Sequence, residues 1–291
     1  MSGGISLSDN GFASPAPLTA AARALAPIRV DGGIGAIFHQ SDSATRLVDL
    51  SERGGYRLKF PTTHAPHLEA VQINTGGGVV GGDRLSIVFQ VQAGADAVFA
   101  TQAAERIYRS NGPACSIGVQ LKLAPDARLD WLPQETILYS GARLQRRFDV
   151  DLAASSRLLM VEAVTFGRIA SGEVLGDGAL HDVWRVRRDG RLLFADATRL
   201  TGNITTRLAR PAIAGGAAAF ALVLYVAPDA SDRRDAVRAA LEGARSDCGV
   251  SAWNGMLTAR FLGTEPGAVR HDVLKLLELL GGRPMPRVWQ R

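Results

Sequence analysis

The sequence predicts a mainly β fold, a stacked or wound antiparallel sheet of short strands, with two α-helices near the C-terminus. Three observations predict it. About a dozen extended segments, broken by turn residues, follow one another closely before residue 228, where alternating β and α units would need helical patterns between strands. Several alternate with period two: Leu85, Ile87, Phe89 and Val91 oppose Arg84, Ser86 and Gln90, as in a half-buried strand. Beyond residue 230 the period becomes helical.

Residues Met1–Pro27 are rich in Gly, Ser, Ala and Pro and read as a loosely ordered leader before a single domain over 28–291. Strands are expected at Ala36–Gln40, Thr45–Leu50, Tyr56–Phe60 and Leu68–Ile73. The stretch Ile73–Ser110 organises the chain, with five glycines in a loop (Gly76, Gly77, Gly78, Gly81, Gly82) closing on Asp83. Gly76, Gly78 and Gly81 spell G-x-G-x-x-G, but a strand follows where a dinucleotide site needs a helix, and no Gly-Lys-Ser/Thr follows for a P-loop. The loop reads as an architectural corner. Ile117, Val119, Leu121 and Leu123 alternate in the next strand, and Leu144, Phe148, Val150 and Leu152 share a face of another. Arg157–Val164 is apolar. Asp189-Gly190 is a two-residue hairpin signal. The uncharged run Ala212–Ala227 is short of the roughly 20 residues of a membrane helix and reads as a buried strand. Ser231 is placed to cap one helix running towards Gly243, and Pro266 to open a second that Gly281-Gly282 ends.

The 291 residues carry a formal net charge of +5, with only three lysines among 33 basic residues. The arginines are spread out, apart from Arg146–Arg147, Arg185–Arg188 and Arg233–Arg234, and no basic run interleaves with aromatics. That disfavours nucleic acid and makes an acidic protein partner the better use of the surplus. Cys115 and Cys248 have no close spacing for zinc or redox work and read as buried thiols in a reduced, cytoplasmic protein. Residues before Arg23 lack the basic start and apolar core of a signal peptide.

No G-x-S-x-G, H-E-x-x-H or C-x-x-C occurs. His64 and His67 form a weak metal candidate, because an extended chain through Pro66 points them apart. Glu162 is a carboxylate in an apolar run, costly to bury unpartnered. An arginine such as Arg168 is its structural partner; alternatively Glu162 lines an internal passage. Asp83, Glu105, Glu135, Glu173, Asp182 and Asp196 read as turn or strand-end groups able to serve as caps, surface charges or interior oxygens.

INTGGGVVGGDRL followed by TQAAERIYRS, then WLPQETILYSGARLQR, FGRIASGE, RLLFADATRL and RPMPRVWQ, resembles the UreD (UreH) family of urease accessory proteins from about residue 30 onward. Gly77 and Val79 replace residues that are often Ser or Ala, and Leu, in related loops. The resemblance implies an elongated β-helix-like body with two helices and no catalysis. It also implies a scaffold that binds a UreF-type protein, through which a UreG-type GTPase joins, and docks on apo-urease. Nickel would be in transit through a water-filled passage, with no tightly bound cofactor. Asp83, Thr101, Glu105, Arg168 and Glu173 match the family's recurring polar residues and, with Glu162, are the passage-lining or structural candidates. Trp289 and Arg291 are candidates for partner contact, the alternative for Trp289 being that it packs on its own body. A hydrolase using carboxylates at the glycine corner and a simple nickel-binding protein are the competing expectations.

Overall fold

The computed structural model describes residues 29–290. In chain order the strands are β1 (Asp31–Ser41), β2 (Ala44–Arg53), β3 (Tyr56–Lys59), β4 (Leu68–Asn74), β5 (Arg84–Val91) and β6 (Asp96–Thr101). There follow β7 (Glu105–Ile107), β8 (Cys115–Leu123), β9 (Arg128–Leu132), β10 (Thr136–Leu138), β11 (Arg143–Leu152) and β12 (Arg157–Phe166). The long hairpin β13 (Asp177–Arg188) and β14 (Arg191–Asn203) leads to helix α1 (Ile204–Leu208) and β15 (Ala219–Val226). Helix α2 (Arg234–Ala240), the hairpin β16 (Asp247–Trp253) and β17 (Met256–Gly263), and helix α3 (Pro266–Gly281) complete the order.

The chain winds as a β-solenoid-like stack of about four turns. Each coil lays one strand in a seven-stranded sheet, order β14-β13-β11-β8-β5-β1-β2, and one in a second sheet, order β16-β17-β15-β12-β9-β6-β4-β3. Because a coil returns to its starting side before laying its next rung, successive rungs run parallel. The ladders β1–β5–β8–β11–β13 and β4–β6–β9–β12 are parallel throughout. This corrects the expected antiparallel sheet. Among the described residues, antiparallel strand pairing lies at the ends, at β1–β2, β3–β4, β13–β14 and β12–β15–β17–β16, apart from one isolated bridge between Arg109 and Ala142.

Inward residues of the two sheets form the main core, threaded by an aromatic ladder. Phe38, Phe89, Phe99, Trp131, Phe148, Trp184 and Phe194 follow at ring spacings of 4.0–6.5 Å. A second core lies on the outer side of the second sheet, where Val269, Val273, Leu276, Leu277 and Leu280 of α3 cover Leu159, Val161, Val223 and Leu257. Pro266 opens α3 and left-handed Gly282 closes it, as expected.

Other expectations need adjusting. Helix α2 starts at Arg234 without a side-chain cap, so Ser231 does not cap it. Only the latter half of Ala212–Ala227 is strand, and α1 and the β16–β17 hairpin were not foreseen. Asp189 (φ 48°) and Gly190 (φ 75°) make the foreseen two-residue turn. The glycine loop is architectural by geometry: a Cβ on Gly81 would lie 2.0 Å from Ser110 Oγ, and one on Gly78 2.3 Å from the Tyr108 ring. Cys115 is buried, and burial pushes its thiol up to about 12, whereas Cys248 is exposed rather than buried. Residues 1–27, expected as a leader, and Arg291 lie outside the described residues.

Candidate functional site: a polar interior cavity

Between the sheets lies a cavity of about 50 Å³, walled by Leu85, Ile87 and Val119 on one side and by Phe99 and Trp131 on the other. Space on that scale admits a few waters. Its polar lining is dense for a core: Gln72, Thr101, Glu105, Gln134, Arg146 and Glu162. Gln72, Thr101 and Glu105 also line a second cavity of about 190 Å³, bounded by Asn74, Gly77 and residues Gln102–Arg106 beside the glycine loop. The two share a wall, so the three residues sit where the interior meets the glycine-loop end of the solenoid.

Glu105 opens β7. Its Oε2 accepts from Tyr56 Oη at 2.9 Å and its Oε1 from Asn74 Nδ2 at 2.8 Å. Burial raises the Glu105 carboxyl above its ordinary value, against the pull of these two donors. Thr101 Oγ1 accepts from the Gln134 backbone N–H at 2.8 Å and donates to the Ala103 carbonyl. The Gln72 Oε1 atom is buried with no hydrogen-bond partner. Buried acceptors are rarely left unpaired, so this oxygen is open to a further polar partner.

Deeper in, Arg146 of β11 stands between two carboxylates. Its Nη1 donates to Glu162 Oε2 at 2.5 Å and to Thr136 Oγ1 at 3.0 Å, and its Nη2 donates to Asp182 Oδ2 at 2.5 Å. Trp131 Nε1 donates to Glu162 Oε1 at 2.9 Å. Burial alone would lower the Arg146 guanidinium, but Asp182 and Glu162 together raise it. Burial pushes Glu162 up to about 7, with Arg146 and Trp131 pulling down and Asp182 adding to the rise. The second Asp182 oxygen, Oδ1, is buried without a partner.

The sign of that shift gives a test. A carboxyl titrating near 7 when folded, and near 4.5 otherwise, holds its proton more tightly in the fold. Its stabilisation is full below about 4.5 and is lost as pH rises through about 7, by roughly 3 kcal/mol. Glu162→Gln is expected to flatten that decline, read from urea unfolding at pH 5 and pH 8. Equal pH slopes in variant and wild type would contradict the assignment.

The structure distributes the sequence candidates unevenly. Thr101, Glu105 and Glu162 line the interior. Asp83 is buried and accepts from the Val30 and Val80 backbone N–H groups at 2.8 and 2.9 Å, pinning the loop. Arg168 pairs with Glu173 at 3.1 Å on the outside, lying over the Tyr139 ring, so it is not the partner of Glu162. That partner is Arg146. Asp182 and Asp196 are mid-strand rather than terminal. Trp289, expected to contact partners, is only 3% exposed: its Nε1 donates to the Leu132 carbonyl at 2.8 Å, and the Arg270 guanidinium lies over its ring. His64 is exposed and His67 half-buried. No group of three or more His, Cys, Asp or Glu side chains able to hold a metal occurs among the described residues. Gln72, Gln134 and Arg146 were missed; Arg146 was visible by parity, since it occupies the apolar face of β11 between Leu144 and Phe148.

The class is a helix-buttressed β-solenoid with a polar cavity between its sheets and no group of three or more metal-holding side chains among the described residues. Comparison with known proteins makes the class particular. The family model for the UreD urease accessory protein matches residues 31–290. A urease accessory protein UreD of Azorhizobium caulinodans is 48% identical over 261 residues, covering 90% of this chain and 95% of that protein. The corresponding proteins of Xanthobacter autotrophicus (47% over 277 residues, 95% of each) and Rhodopseudomonas palustris (42% over 262 residues, 90% of each) are similar at comparable length. The chain belongs to the UreD family of urease accessory proteins.

Proposed function

We propose that this protein is a non-enzymatic scaffold of urease maturation. It binds a UreF-type partner, is joined through it by a UreG-type GTPase, docks on apo-urease in the cytoplasm, and lets nickel pass through its interior. Family membership together with the Gln72–Thr101–Glu105 junction carries the reading. These oxygens line both cavities, and a path works as a conduit when each site binds weakly enough to release. Scattered oxygen ligands meet that condition for a borderline cation, where a complete ligand set would trap it. Among the described residues no helix is long and apolar enough to cross a membrane.

The competing enzyme reading needs Asp83, Glu105 and Glu173 to converge. Each holds different partners, and of the three only Glu105 lines the cavity. Co-purification with the UreF-type protein and apo-urease tests the scaffold; recovery of neither by folded protein would refute it. Glu105→Gln keeps the side-chain volume and removes the charge. It is expected to lower nickel-dependent urease activation several-fold while both partners are still recovered. Undiminished activation would remove Glu105 from the path.

A further inference from the structure

The second sheet carries a break beside the interior cavity. β12 pairs with β9 through Arg157–Met160 and with β10 through Val164–Phe166, so Val161, Glu162 and Ala163 have no ladder partner along that edge. Opposite them the chain crosses from β9 to β10 through Pro133, Gln134 and Glu135, which belong to no strand. The break continues into the next coil, where β6 pairs with β9 up to Ala100 and β7 with β10 from Glu105. Two hydrogen bonds cross it there, from the Gln134 backbone N–H to Thr101 Oγ1 at 2.8 Å and from the Glu105 N–H to the Glu135 carbonyl at 3.0 Å. Pro133 has no N–H to add.

This seam has open space on both sides. Pro133, Gln134 and Glu162 line the interior cavity of about 50 Å³. Glu135 and Ala163 line a cleft of about 210 Å³ on the outside, walled also by Val269, Arg270 and Val273 of α3 and by Trp289. Gln134 links the two. While its residue lines the cavity, its Oε1 accepts from Arg270 Nη1, in the cleft, at 2.5 Å, and its Nε2 donates to the Val288 carbonyl at 3.1 Å. Both holders come from outside the coil, one from α3 and one from the C-terminal segment. Arg270 also reaches Glu135 Oε2 and the Trp289 carbonyl, each at 3.4 Å. The far end of the segment is moored by Arg283, which pairs with Asp96 at 2.9 Å and Asp130 at 3.1 Å. Gln134 is 7% exposed, whereas the Arg270 and Glu135 side chains are 29% and 32% exposed, so solutes meet the holders before the amide.

We propose that this seam is a closable side opening of the cavity. Gln134 is its shutter, and Arg270 with the Val288–Trp289 segment is the catch. Turning the Gln134 side chain out of the wall breaks two side-chain hydrogen bonds and no strand ladder, so opening is a local event. Its size suits water and small cations, which then exchange between the cavity and the α3 cleft. That the seam opens stands on its geometry; that nickel uses it rests on the reading under Proposed function.

The test measures access to the cavity in the full-length chain and needs no partner. Val119→Cys places a thiol on the opposite wall, where the native residue is 2% exposed, with C115S and C248S removing the native thiols. Its capture by silver ion, small and thiolate-seeking, is timed by mass spectrometry after denaturing alkylation. Adding Q134A or R270M is expected to speed capture roughly tenfold or more, since each removes hydrogen bonds that hold the seam shut. Q134E keeps the side-chain size and adds charge attraction to Arg270, and is expected to leave capture no faster than in the parent. Equal rates in the parent, Q134A and R270M overturn the inference, because entry then runs elsewhere or not at all; Q134E as fast as Q134A does the same. A second reporter, Leu180→Cys, is buried in the main core outside the cavity lining. Equal acceleration there means that the whole fold has loosened, and it also overturns the inference. Any of these failures leaves the scaffold reading standing, since co-purification decides that separately.

Discussion

Arg146→Met is expected to lower unfolding stability by about 3–5 kcal/mol at neutral pH, a fall in Tm of roughly 10 °C. The guanidinium is buried and touches two carboxylates, Glu162 and Asp182, that are themselves buried. Removing it strands negative charge in the core while leaving the Trp131 donor in place. The deficit should shrink as pH falls towards 5, where a stranded carboxyl takes up a proton at lower cost. Neutralising all three groups at once, as R146M/E162Q/D182N, should recover most of the loss, because a charge-free site has nothing left to compensate. A loss below about 1 kcal/mol for Arg146→Met alone would mean that the cluster is hydrated well enough to stand without its cation.

Trp131→Ala is expected to be comparably damaging, about 3–5 kcal/mol. The indole stacks on Phe99 at 4.0 Å, meets Phe89 and Phe148 edge-on, and donates to Glu162. Trp131→Phe separates these contributions: it keeps an aromatic surface and removes the N–H, and should cost about 1–3 kcal/mol through the unmet Glu162 oxygen and the lost volume. Urea denaturation at a fixed pH measures both. Equal losses for the two variants would place the whole effect in the hydrogen bond and none in the packing.

Arg146 also shows where sequence reading stops. The strands were legible because burial follows a period of two: β5 buries Leu85, Ile87, Phe89 and Val91 as the alternation requires. Strand direction was not, since parity is the same for parallel and antiparallel neighbours and only the return path of the chain decides between them. Pairing was hidden for a similar reason. Glu162 demanded a cation, but the arginine suggested by sequence, Arg168, lies on the outer loop with Glu173. The actual partner sits sixteen residues away along the chain on a strand of the opposite sheet. Within the glycine corner, Asp83 and Glu105 looked alike as loop-end carboxylates. Backbone donors hold the first and side-chain donors the second, a distinction that exists only once the coils are stacked. Trp289 looked like an anchor for others because nothing in a terminal segment says which wall it returns to.

The spacing of the rungs carries a consequence for biogenesis. Neighbouring rungs of the seven-stranded sheet, such as β5–β8 and β8–β11, join residues roughly 30 positions apart, so each loop is closed over a short span. Assembly can therefore advance in the order of synthesis, every new coil settling on the one just made. The C-terminal segment breaks that locality: Arg283 reaches Asp96 across 187 residues and Trp289 reaches Leu132 across 157. The segment from Arg283 to Trp289 thus fastens coils laid down far earlier in the chain.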